Sequence, residues 1–189
     1  GDMWRNYLKV IEKKRFVKGG NYVSSFEHVN FNKSSIVLDV SKGPKQVAQL
    51  QELLSKADVF ITNVRLPSLQ KLGLDYCSIK NTHPHLIYGH LSAWGLVGPG
   101  RSDPGYDFGA FWSRTGMSTL MNGPGTYSQY PGAFGDTITG LNLVSGILIQ
   151  LRRRLQNGGI GSLVETSLLR TGMWVNAPMI LREVDTKGG

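Results

Sequence analysis

Three short β-branched runs, spaced by helix-length stretches, constrain this chain more than any other feature. Ser35-Ile36-Val37-Leu38-Asp39-Val40 has the length and composition of a buried strand and ends in a Ser-Lys-Gly-Pro turn. Asp58-Val59-Phe60-Ile61-Thr62 is a second such run, and His85-Leu86-Ile87-Tyr88-Gly89-His90-Leu91 is a third. Between the first two, Pro44 suits the opening turn of a helix, and Val47, Leu50, Leu53 and Leu54 fall on one helical stripe that runs to Lys56. Shorter helical pieces are predicted around Ser68–Leu72 and Asp75–Asn81. Strand, helix, strand, helix, strand predicts an α/β domain with a parallel sheet, since parallel neighbours need a crossover between them.

After Leu91 the character changes. Trp94 to Gly105 holds Gly95, Gly98, Pro99, Gly100, Pro104 and Gly105, and reads as a loop. A helix is predicted over Asp107–Arg114, then a second glycine-rich loop over Gly116–Gly135. The strongest helix is predicted over Asp136–Leu155, where Ile138, Leu141, Val144, Ile147/Leu148, Leu151 and Leu155 step by three or four. Arg152, Arg153 and Arg154 complement its C-terminal dipole, and Asn157-Gly158-Gly159 stop it. A last strand is predicted at Ser162–Thr166 and a last helix at Ser167–Arg182. Residues 1–22 are basic and mixed. No repeat or linker divides the chain, and a sheet of three or four strands reads as part of a larger domain, with no second domain in residues 1–189.

Several classes are excluded by composition. No apolar run reaches the ~18 residues of a membrane span, and no secretory signal is visible at the start. Cys77 stands alone, so an internal disulfide and a cysteine-rich zinc site are both ruled out, and a reducing compartment fits. The 21 Lys and Arg against 13 Asp and Glu leave a net charge of +8. That suits a polyanionic partner: nucleic acid, an anionic membrane surface or a phosphate-rich cofactor.

Asp136 is the leading candidate for chemistry. It follows a glycine-rich loop and opens the strongest helix, where free N–H groups favour an ionised carboxylate. Such a group can be a covalent nucleophile toward an activated carbonyl, or simply the helix N-cap. Tyr106 could donate to a developing oxyanion, or anchor a loop by its ring; Asp107 has the same ambiguity, between a part in the chemistry and a helix cap. Asn63, Val64 and Arg65 lie just past a predicted parallel strand, where ligands bind, and Arg65 and Lys71 could pair with phosphates. The alternative there is a solvated basic turn. His28, His83, His85 and His90 have no cysteine or carboxylate at ligand spacing, so no metal site is expected. The loop at Gly95–Gly100 lacks the Lys-Ser/Thr pair of a Walker A motif.

An ordered set of segments then resembles one family. Asn30–Val40 resembles its N-x-N-K-x-S-I-x-L-D segment, and Ala57–Arg65 its A-D-V-x-x-x-N-x-R segment, followed by Lys71-Leu72-Gly73-Leu74-Asp75-Tyr76. Pro84–Tyr88, Trp94-Gly95-x-x-Gly98-Pro99, Gly105-Tyr106-Asp107, Gly135-Asp136 and Ser167-Leu168-Leu169 follow in order. The set is similar to the class III CoA-transferases, over about residues 1–171. Gly1-Asp2-Met3-Trp4-Arg5 is similar to the family's G-D-x-x-R, which normally follows a first βαβ unit.

The resemblance implies a partial Rossmann-like parallel sheet lacking that first unit and the small domain, and an internal piece that is inactive alone. It implies that Asp136 is the nucleophile and Tyr106 its neighbour in the site, with Asn63, Val64, Arg65 and Lys71 on the coenzyme A side. The implied substrates are an acyl-CoA and an acceptor carboxylic acid, with no permanently bound cofactor and no nucleic-acid or membrane partner. An interlocked homodimer in cytoplasm or mitochondrion is implied too. A racemase branch carries histidine where Tyr106 stands, and a phenol with a pKa near 10 is a poor base at neutral pH, which favours transfer. An α-methylacyl-CoA racemase-like isomerase and a non-catalytic CoA-binding homologue are the alternatives, with a basic nucleic-acid-binding module more remote. Phe111 and Trp112 depart from the family pattern, where several members have a polar residue, as does Glu165, where aspartate is common.

Overall fold

The computed structural model describes residues 24–123 and 132–187. The chain divides into two compact units, Gly1–Leu38 and Asp39–Gly189. In the first, helix α1 spans Ser24–Asn30. The predicted first strand is not formed: residues 33–39 carry no regular structure, and Ile36 and Val37 are exposed. A strand exists only where a ladder partner is present, and β1, the edge strand of the sheet, pairs with β2 alone among the described residues.

The second unit holds α2 (Pro44–Ser55), β1 (Val59–Thr62), α3 (Leu66–Lys71), α4 (Tyr76–Thr82), β2 (Ile87–Ser92), a π-helical turn (Phe108–Ser113) and α5 (Met117–Asn122). It continues with α6 (Phe134–Arg154), β3 (Leu163–Ser167), α7 (Leu168–Val175) and α8 (Ala177–Lys187). Part of the predicted glycine-rich loop over Gly116–Gly135 is therefore helical, and residues 124–131 of it lie outside the described residues. The predicted last helix is two helices that meet at Asn176, whose side-chain amide donates to the Thr115 carbonyl at 2.7 Å. The basic residues 1–22 also lie outside the described residues.

The three strands form a parallel sheet in the order β1-β2-β3. Alternation along the central strand decides what each face receives. Tyr88 points to one face, among Leu54 of α2, Leu69 of α3, Leu74 of the α3–α4 link, Ile79 of α4 and Leu86 just before β2. Its hydroxyl donates to the Leu74 carbonyl at 2.7 Å. Ile87 points to the other face and packs with Leu143 and Ile147 of α6. Each such fully buried aliphatic side chain stabilises the fold by about 1.5–3 kcal/mol. Gly146 lets α6 approach the sheet, since a Cβ there would lie 2.6 Å from Val164 Cγ1.

The fold buries only part of the apolar stripe expected on α6: Ile147 is in the core and Ile138 and Leu151 pack against it. Gly135, Thr139, Leu143 and Ile147 face inward, while Leu141, Val144, Leu148 and Leu155 stay exposed. The helix is apolar on several sides, so its periodicity did not single out one face. By length and composition α6 is also long and apolar enough to cross a membrane, yet here it lies along β2 and β3. Its C-terminal end is pinned to the start of the sheet: Arg154 pairs with Asp58 at 2.5 Å and donates to the His85 carbonyl at 2.9 Å. Arg154 is therefore an anchor and not one more solvated charge. Pinned there, α6 runs antiparallel to the strands. Its N-terminus then lies at their carboxyl ends, where open α/β sheets bind ligands.

Candidate functional site: a carboxylate pair at the mouth of a helix

The turn that follows Gly105 meets Gly135 at that mouth. The π-helical turn buries Ala110, Phe111 and Trp112 among Leu168, Trp94, Met117 and Ile138. Its wider repeat shows in the Arg114 N–H, which donates to the Gly109 carbonyl at 3.0 Å. Turns of this kind are frequent at functional sites. Phe134, in the first turn of α6, packs its ring on Trp112 at 5.5 Å and on Phe111 at 6.3 Å. The preceding residue, Ala133, holds a left-handed φ of 62°. A non-glycine residue costs energy there, and such strain clusters at functional sites.

Asp136 is the third residue of α6 and not its cap, a position taken by Ala133. The ordinary capping reading of Asp136 therefore fails. Its side chain is solvent-exposed, while the surrounding protein removes enough water to raise its pKa above the usual carboxylate value. Asp107 lies beside it and is 4% exposed. Burial raises the Asp107 pKa first and the Asp136 charge raises it further; the Gly135 N–H and the Trp112 indole oppose both. Gly135 makes this proximity possible. A Cβ at that position would overlap the Asp107 carboxylate and lie 2.7 Å from Phe111 Cβ.

Tyr106 precedes Asp107 and is 79% exposed, its phenol largely in solvent. The structure thus draws Asp107 and Asp136 together, with Tyr106 one residue away on the same turn. The pairing of Asp107 with Asp136 depends on the fit of a side chain against Gly135, which no spacing rule encodes.

Asn63, Val64 and Arg65 form a second cluster at the exit of β1, all exposed. The Val64 N–H donates to Thr62 Oγ1 at 3.1 Å, and Arg65 leads into α3 with Pro67 in its first turn. Lys71, the last residue of α3, is exposed and joins neither cluster by a hydrogen bond or ion pair among the described residues. Both clusters lie at the carboxyl end of the sheet, on different elements. Among the described residues no group of three or more His, Cys, Asp or Glu could hold a metal ion.

The raised Asp107 pKa has a consequence for stability. A carboxyl whose folded pKa exceeds its unfolded one binds protons more readily when folded. Its contribution is most favourable at low pH and declines as pH rises from the ordinary carboxylate value, near 3.9, through the raised folded value. Asp107→Asn should flatten this decline, measured as Tm against pH in the full-length protein. An unchanged slope would contradict the assignment.

This is a parallel α/β sheet domain that presents two neighbouring carboxylates at the mouth of its longest helix among the described residues. The sequence model of CoA-transferase family III matches residues 1–188, and the chain belongs to that family. It is 38% identical over 156 residues to (R)-2-hydroxy-4-methylpentanoate CoA-transferase of Clostridioides difficile, covering 82% of this chain and 39% of that enzyme. It is 34% identical over 153 residues to cinnamoyl-CoA:phenyllactate CoA-transferase of Clostridium sporogenes, covering 80% and 36%. The chain therefore spans less than two fifths of the length of each of these relatives. Among solved structures it resembles a CAIB/BAIF family protein of Brucella suis (TM-score 0.73, 32% identity, 82% of this chain and 40% of that one). It also resembles Rv3272 of Mycobacterium tuberculosis (TM-score 0.74, 28% identity, 82% and 42%).

Proposed function

We propose that this chain carries the nucleophile of an enzyme that moves coenzyme A from an acyl-CoA thioester to an acceptor carboxylic acid. The single observation that carries the reading is Asp136: an exposed carboxylate in the first turn of α6, relieved of capping, with a raised pKa. A more basic carboxylate is a better nucleophile, and the positive end of the helix keeps it ionised.

One Asp136 oxygen attacks the thioester carbonyl and expels the CoA thiolate, giving a mixed anhydride. The thiolate attacks the Asp136 acyl carbon and expels the donor acid, leaving an aspartyl-CoA thioester. The acceptor carboxylate displaces the thiolate from Asp136, forming a second anhydride. The thiolate then attacks the acceptor's acyl carbon, releasing the new acyl-CoA and free Asp136. Each step exchanges a carboxylate for a thiolate or the reverse, so the thioester free energy is kept provided water is excluded. Tyr106 is assigned as a donor to the oxyanion of the tetrahedral intermediates. Asn63, Val64 and Arg65 are assigned to coenzyme A, with the Arg65 guanidinium and Lys71 directed to its phosphates.

Hydroxylamine trapping of the full-length enzyme tests this. With acyl-CoA present, a hydroxamate is expected on the peptide bearing Asp136, and none without acyl-CoA. Trapping at another residue, or nowhere while CoA still binds, would sink the proposal, the second outcome in favour of a non-catalytic CoA-binding protein.

A further inference from the structure

His90 lies outside the carboxylate pair and is used by none of the steps above. It is 2% exposed, on the central strand, in register with Thr62 of β1 and Glu165 of β3. Its Nε2 lies 3.1 Å from the Val64 carbonyl, so this nitrogen carries the proton and donates. Burial lowers the His90 pKa, against the opposing pull of the Val64 carbonyl it bonds and of the nearby Glu165; Glu165 itself pairs with Arg170 at 2.5 Å.

The turn leaving β1 has few other ties. The Val64 N–H donates to Thr62 Oγ1, and the Arg65 carbonyl accepts from the Ser68 and Leu69 N–H groups of α3. Between those two points, the contact to His90 fixes the orientation of the Val64–Arg65 peptide. The Asn63, Val64 and Arg65 side chains are all exposed, so no packing fixes them and backbone orientation sets the direction in which each leaves the chain.

We infer that His90 is a positioning residue for coenzyme A: it clamps the Val64 carbonyl and thereby aims the Asn63–Arg65 turn at the ligand. The inference rests on the reading of that turn as the coenzyme A segment. His90→Leu keeps an apolar side chain of similar reach and removes the donor. His90→Gln restores an N–H at a similar distance.

In the full-length enzyme, His90→Leu should raise KM for acyl-CoA roughly tenfold with kcat little changed, because the Val64 carbonyl loses the partner that orients its peptide. Amide exchange at Val64 should quicken by about the same factor. His90→Gln should recover much of both. A His90→Leu enzyme with unchanged KM, or a His90→Gln enzyme as impaired as it, would overturn the clamp. Arg65→Ala serves as the control: unchanged CoA affinity there would remove the coenzyme A reading of the turn and this inference with it. Exchange at Val64 would still report separately whether the tie to His90 exists.

Discussion

Asp136→Asn in the full-length enzyme should abolish CoA transfer and leave coenzyme A binding intact. An amide has nearly the volume of the carboxylate but cannot form an anhydride with an acyl group, so the covalent route closes. A loss of roughly 10^4-fold or more in kcat is expected, as for other enzymes stripped of their nucleophile. Coenzyme A affinity should hold, since Asn63, Val64 and Arg65 lie on a different element at the exit of β1. Stability should hold as well: Asp136 is exposed and caps nothing. These three readouts separate loss of chemistry from loss of fold. Turnover retained at more than a few per cent would refute the role of Asp136.

How much of this was legible beforehand follows from which forces are local. The second and third predicted strands and the long helix stand within two residues of their predicted limits, because β-branched runs and a glycine stop are local signals. Residues 35–40 carry the same local signal and form no strand, because pairing is a property of the neighbour and not of the run. Phe108–Ser113 is helical where a helix was expected, but of the π type, which depends on how Phe111 and Trp112 pack. The place of Asp136 at a helix start was legible from the glycine-rich loop before it. The surroundings of Asp107 and His90 were not, because they are set by packing against Gly135 and Val64, 28 and 26 residues distant in sequence.

Gly135 supplies the sharpest test of the packing argument, because the usual rule predicts the opposite sign. Within a helix, Gly→Ala is ordinarily stabilising by about 1 kcal/mol. Gly140, one turn further along α6, should follow that rule, for a Cβ there meets nothing within 4 Å. Gly135 should not. The added methyl would overlap the Asp107 carboxylate and lie 2.7 Å from Phe111 Cβ, and Phe111 is fully buried with no room to retreat. Overpacking of this kind costs about 1–3 kcal/mol, and the added displacement of a buried carboxylate places Gly135→Ala at the upper end. The catalytic effect should exceed the effect on stability. Relief of the clash moves the first turn of α6, and a shift of about 1 Å at a reacting group can cost roughly 10^2-fold. The expected pattern in the full-length enzyme is a higher Tm and normal kcat for Gly140→Ala, against a lower Tm and a kcat reduced on the order of 10^2-fold for Gly135→Ala. Equal behaviour of the two variants would mean that Asp107 does not press on the helix mouth, and the coupling of the two carboxylates would have to be abandoned.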